Sequence, residues 1–181
     1  MKFFEDSKYY SLKKSTYINL RWIGVIGQLI SVYLVHFYFG FKFDFFLANL
    51  AIFFGVLSNL YLIFIYKKTQ LSDRLALLFL LFDIIQLTVL IYLTGGAKNP
   101  FIIFIIIPSI FASTNLGLKT NLFIVLITCI MIIFLTFYAS ELPYPLASHF
   151  HISDYIYYSI PVSLIIALIF LNYFAIIFGR E

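Results

Sequence analysis

Long apolar runs broken by short polar stretches make up most of this chain. Six of them, approximately Ile18 to Phe41, Phe45 to Tyr66, Leu75 to Leu93, Phe101 to Leu118, Leu122 to Ser140 and Tyr155 to Phe178, are long enough to cross a bilayer. A hydrocarbon core about 30 Å thick takes about 20 helical residues at about 1.5 Å each. Segments such as "FIIFIII" from Phe101 and "LALLFLLF" from Leu75 do not alternate, which argues against the strands of a membrane barrel. The pattern predicts an all-α polytopic protein with six transmembrane helices. Residues 1–17 form a cytoplasmic or interfacial segment, 18–178 the transmembrane domain, and 179–181 the start of a cytoplasmic linker.

Composition agrees with this reading. Of the 181 residues 63% are hydrophobic and 11% charged, against about 45 to 50% and about 25% in soluble domains. The few basic residues set the orientation. With a cytoplasmic amino terminus, the inner side collects Lys2, Lys8, Lys13, Lys14, Arg21, Lys67, Lys68, Arg74, Lys119 and Arg180, leaving Lys42 and Lys98 outside. Positive residues concentrate on the cytoplasmic side, so both termini are expected there. Trp22 and tyrosines such as Tyr66 and Tyr92 fall near run ends, where amphipathic rings anchor. The segment before Ile18 reads either as an interfacial stretch, with Phe3, Phe4 and Tyr9 dipping into lipid and its lysines meeting anionic headgroups, or as a frayed tail. Cys129 is the single cysteine and lies inside an apolar run, so neither a disulfide framework nor a cysteine metal cluster is available.

The break between the third and fourth runs, "LTGGAKNPF" from Leu93, concentrates turn chemistry at the outer face. Gly95 or Gly96 can take the left-handed backbone that ends a helix, Asn99 can cap the next one, and Pro100 suits its first turn. That describes a tight connector. A helix amino terminus also presents free N–H groups, here beside Lys98 at the membrane edge, and such a place suits a carbonyl or an anion with a greasy body, a quinone being one such carbonyl compound.

Inside the spans, Asp83 sits about 12 Å along its helix, near mid-bilayer, where an acid costs about 2.5 to 3.5 kcal/mol on insertion scales. Gln86 shares its face, and Leu90 and Thr94 carry the stripe toward the connector. Ser31, Asn59, Thr128 and Asn172 fall at similar depth, which predicts a shared polar layer in the bundle interior. Its roles are helix-to-helix hydrogen bonding or a relay centred on Asp83 and Gln86. In the first helix Gly24, Gly27 and Ser31 form a small-residue face that predicts a close neighbour, with Gln28 beside it. Pro108 is expected to kink the fourth helix and release the carbonyl of Phe104.

These residues resemble a known family. "RWIGVIGQ" in the first helix, "FDIIQLTVLIYLTGGAKNPF" across the third helix and connector, and "IIIPSIFASTNL" in the fourth are similar to the membrane region of the RegB/PrrB/ActS group of bacterial redox-responsive sensor histidine kinases. The resemblance implies a six-helix sensor in the bacterial inner membrane, a homodimer in that family's manner, and a G-G-x-x-N-P-F quinone motif matched by Gly95, Gly96, Asn99, Pro100 and Phe101, with Lys98 between them. Ubiquinone or menaquinone is the implied ligand. In that family the sixth helix continues into a kinase region that addresses a cytoplasmic response regulator. Here the sequence ends at Glu181, so a sensor without its output is expected, with no catalytic residues of its own.

Other classes fare less well. Neither H-E-x-x-H nor G-x-S-x-G occurs, and no nucleic-acid patch or ATP-binding loop is present. His149 and His151 form an H-x-H that would need a further ligand, Glu141 or Asp154, to hold a metal, and His36 alone within a span does not make a haem site, so no metal or haem is expected. The alternative is a small six-helix solute carrier or vitamin-capture subunit, against which the sparse charge of the outer loops counts.

Overall fold

The computed structural model describes residues 12–38, 40–138 and 154–178. Six helical segments follow one another: α1 (Lys14–Tyr33, extended by a π-helical turn Leu34–Tyr38), α2 (Phe45–Phe64), α3 (Asp73–Leu93), α4 (Ile107–Asn115), α5 (Leu118–Tyr138) and α6 (Asp154–Phe178). Five are long and apolar enough to span a membrane. The fourth crossing, Pro100–Asn115, is shorter. Its first part, Pro100–Ile106, is a 3₁₀ helix. Because 3₁₀ residues rise about 2.0 Å rather than about 1.5 Å, the segment still extends about 28 Å, close to the hydrocarbon thickness.

Short polar breaks force antiparallel neighbours. α1 packs on α2, α2 on α3, and α3 on α4 and α5, while α6 closes against α4 and α5. The larger core lies among α3 to α6 and reaches Tyr17 of α1 and Leu62 of α2, with Leu80, Ile84, Ile105, Ile124, Ile132 and Leu168 fully buried. A smaller one joins α1, α2 and α3 through Val25, Val32, Ala48, Ile52 and Leu90. The remaining apolar surface, including Ile23, Phe46, Ile85 and Ile166, is exposed, as lipid-facing side chains must be.

Local chemistry fixes the ends. The Asp44 carboxylate caps α2 by accepting from the Leu47 amide at 2.9 Å. At the opposite end, β1 (Leu12–Lys13) pairs antiparallel with β2 (Gln70–Leu71), and the Lys14 amide donates to the Thr69 carbonyl at 3.0 Å. This clasp ties the start of α1 to the α2–α3 connection, which is why α1 begins at Lys14, four residues before the apolar run. Lys13, Lys14, Lys67, Lys68, Arg74 and Lys119 all gather at this end, and Lys42 and Lys98 at the other, an asymmetry that puts the clasp in the cytoplasm.

Two expectations are corrected here. Pro108 releases no carbonyl: it sits at the junction where 3₁₀ gives way to α4, and Phe104 accepts from the Ile107 amide three residues on. The Gly24 and Gly27 face packs against nothing among the described residues, since a Cβ at either position would meet no atom of them within 4 Å. His149, His151 and Glu141 lie outside the described residues.

Candidate functional site

At the connector, backbone freedom comes first. Gly95 and Gly96 both adopt positive φ, 111° and 56°, a region closed to most side chains, and together they reverse the chain after α3. The 3₁₀ turn Gly96–Lys98 follows, with Asn99 next and 8% exposed. The Asn99 side chain works in both directions. Its Oδ1 accepts from the Phe101 amide at 2.9 Å. Its Nδ2 donates to Thr94 Oγ1 at 2.6 Å and lies 3.3 Å from the Thr94 carbonyl. Thr94 in turn donates to the Leu90 carbonyl at 2.7 Å. One asparagine thus joins the end of α3 to the start of the next segment.

These bonds correct the expectation of free N–H groups. The amides of Lys98 and Asn99 donate to Gly95 and Gly96 carbonyls, Phe101 to the Asn99 side chain, and Ile102 to the Asn99 carbonyl. The cap that positions the segment consumes the donors it was expected to offer. What the connector presents instead is an aromatic surface. In a 3₁₀ helix side chains three apart eclipse one another, so Phe101, Phe104 and Ile107 form one exposed column. The two rings stack with centroids 5.9 Å apart and an interplanar angle of 18°. Gly95, Gly96 and Ala97 are buried, whereas Lys98 and Pro100 are exposed beside that column. The six residues expected at the site are therefore together, in two roles: Gly95, Gly96 and Asn99 build the turn, and Lys98, Pro100 and Phe101 face outward.

Asp83 and Gln86 lie elsewhere. Gly95 is twelve residues beyond Asp83, about 18 Å along the helix, so the acid is no part of the connector. Its partners come from α1 and α2. Arg21 Nε and Nη2 donate to Asp83 Oδ1 at 3.0 and 2.7 Å, and the Tyr17 hydroxyl donates to Oδ2 at 2.6 Å. Nη2 also reaches Ser58 Oγ, which donates to the Gly55 carbonyl. Arg21 Nη1 has no hydrogen-bond partner among the described residues. The guanidinium does lie 5.5 Å from the Tyr17 ring centroid and 5.4 Å from that of Phe79, distances at which aromatic faces stabilise a cation.

Arg21 is therefore not the membrane-flanking charge the sequence suggested. It is 7% exposed and lies inside the bundle, because Asp83 requires a counter-charge there. The single polar layer also gives way to separate pairings. Asn59 Nδ2 points to the Ile18 carbonyl at 3.4 Å, Thr128 donates to its own Ile124 carbonyl, and Ser109 donates to Asn172 at 3.3 Å. Gln86 Nε2 donates to Gln28 Oε1 at 2.8 Å. That amide lies against Gly55, where a Cβ would come within 2.9 Å of Gln86 Nε2. The backbones of α1 and α3 approach less closely than those of α1 and α2, so these long polar side chains span the gap.

The surroundings of Asp83 and Gln86 that sequence reasoning missed are Tyr17, Arg21, Ser58 and Gly55. One signal was available: Arg21 and Asp83 are opposite charges within apolar runs, and each needs a partner where water is absent.

The PilS-like transmembrane domain family matches residues 6–177. The sensor histidine kinase RegB of Cereibacter sphaeroides is 35% identical over 125 residues, covering 68% of this chain and 26% of that protein. The chain thus spans about a quarter of the length of this curated relative. No solved structure matches.

Proposed function

The chain belongs to the PilS-like transmembrane domain family, and from that premise we propose that this membrane sensor domain reads a quinone at the α3–α4 connector. The observation that carries the reading is the Asn99-locked turn, which holds Phe101 and Phe104 as an exposed stacked pair at the outer rim. A quinone ring is flat and apolar on its faces, with carbonyl oxygens at its edge. It lies on the Phe101 and Phe104 rings with its isoprenoid tail in lipid, and the Lys98 ammonium at the rim supplies hydrogen-bond donors to an edge oxygen. Ubiquinone and menaquinone both satisfy this chemistry.

The signal then passes through α3. Its outer end is bonded to the connector by Thr94, and its middle is bonded to α1 by Gln86 and Asp83. A shift of α3 moves α1 and α2 with it, and in the histidine-kinase arrangement the inner ends of the helices pass the shift to a cytoplasmic kinase module within a homodimer, upstream of a response regulator.

The test is quinone affinity in the purified domain, measured by titration with a short-chain ubiquinone analogue. Phe101→Ala and Phe104→Ala should each weaken binding about three- to tenfold, the size of a lost aromatic stack. Asn99→Ala should weaken it as well by loosening the turn. Unchanged affinity in all three, with helicity and melting temperature retained, rejects the site.

A further inference from the structure

At the cytoplasmic end, a cavity of about 350 Å³ opens between the start of α1 and the end of α2. Lys13, Lys14, Lys67 and Lys68 line it, and Ile18 and Ile63 form its apolar part. Among the described residues no carboxylate lines it. The backbones of Lys13 and Lys14 are held in place, because β1 pairs with β2 and the Lys14 amide is bonded to Thr69, which also lines the cavity; Lys67 and Lys68 lie in the connection just before that clasp.

The four ammonium groups have different duties. Lys14 Nζ turns onto the Tyr66 and Ile63 carbonyls at the end of α2, where the last turn of a helix carries negative partial charge. Lys13, Lys67 and Lys68 are exposed around the opening. Like charges crowded about one cavity repel unless an anion joins them. The depth is that of lipid headgroups, and the apolar Ile18 and Ile63 exclude a purely water-soluble anion as the best fit.

We propose that this cavity is a specific site for an anionic phospholipid of the inner leaflet. The phosphodiester sits among Lys13, Lys67 and Lys68, and the glycerol and upper acyl chain lie along Ile18 and Ile63. Basic pockets between membrane helices on the cytoplasmic side suit such headgroups. The site is independent of the quinone connector, which lies at the opposite end of α3. It also sits one to two turns from the buried ion pair, since Lys14, Ile18 and Arg21 follow one another along one side of α1.

The test is native mass spectrometry of the detergent-purified chain titrated with phosphatidylglycerol, with phosphatidylcholine and inorganic phosphate as separate arms. One retained phosphatidylglycerol per chain is expected, undisplaced by millimolar phosphate and not matched by phosphatidylcholine. Lys67→Gln with Lys68→Gln should weaken its binding about 30-fold, from about 1 kcal/mol per lysine. Lys67→Arg with Lys68→Arg should preserve it. Ser15→Trp, which fills the cavity and leaves every lysine in place, should also weaken it. Arg74→Gln with Lys119→Gln removes two charges from the same membrane face outside the cavity and should change little. Equal loss in the two glutamine pairs would show diffuse surface charge rather than a site. Full retention in Ser15→Trp, equal binding of phosphatidylcholine, or displacement by inorganic phosphate would each overturn the proposal.

Discussion

At the scale of single residues, the Arg21–Asp83 pair places two charges inside an apolar bundle. Both side chains are largely out of solvent, 5% and 18% exposed, and their nitrogen and oxygen lie 2.7 Å apart. Removing one partner strands the other charge, at a cost of about 3 to 5 kcal/mol. Arg21→Met and Asp83→Leu should therefore each lower the melting temperature in detergent strongly, and the double substitution should recover most of the loss. Additive losses would show that the two side chains stabilise the bundle separately. Gly55 allows a second residue-scale test, because a Cβ there would strike the Gln86 amide. Gly55→Ala should destabilise by about 1 kcal/mol, the net worth of a hydrogen bond, by displacing Gln86 from Gln28. In a Gln86→Ala background the same substitution should be close to neutral, and a full penalty there would mean that backbone packing, not the amide, sets the constraint.

At the scale of elements, what was legible in the sequence followed from solvation. Helices had to fill the apolar runs because lipid offers no partner to the backbone, so the six segments and the turn residues Gly95, Gly96 and Asn99 were readable. The inward faces were not readable from periodicity, because side chains facing lipid are as apolar as those facing the core. Ile23 and Val25 differ in exposure by 70% to 5%, yet not in chemistry. Buried positions are marked instead by polar residues such as Asn59, Gln86, Ser109 and Thr128, and their pairings depend on rotation of each helix, which one sequence does not specify. The 3₁₀ start of the fourth crossing was hidden for another reason. "PFIIFII" carries no signal separating a rise of about 2.0 Å from one of about 1.5 Å, and only the need to span the bilayer with Pro100–Asn115 selects it.

At the scale of the whole molecule, the charge asymmetry between the two ends fixes how the domain sits. Lys42 lies before α2 at the outer end and Lys119 in the first turn of α5 at the inner end. In intact cells, with Cys129 replaced by Ala, Lys42→Cys should react with a membrane-impermeant maleimide and Lys119→Cys should not until the membrane is breached. The reverse pattern would invert the topology and place the connector in the cytoplasm. With the orientation as derived, the molecule has two chemically distinct ends, an aromatic column over a rigid turn outside and a lysine-lined cavity inside, with α3 between them bonded to α1 at mid-depth. The measurement that tests the sensor reading most directly is photolabelling of the domain in its native membrane with an azido-quinone, followed by peptide mapping. Labelling at residues 98–104, abolished by excess unlabelled quinone, is the predicted result. Competable labelling confined instead to the exposed apolar groove of α6, lined by Ile166, Ile169, Phe170 and Tyr173, would contradict it.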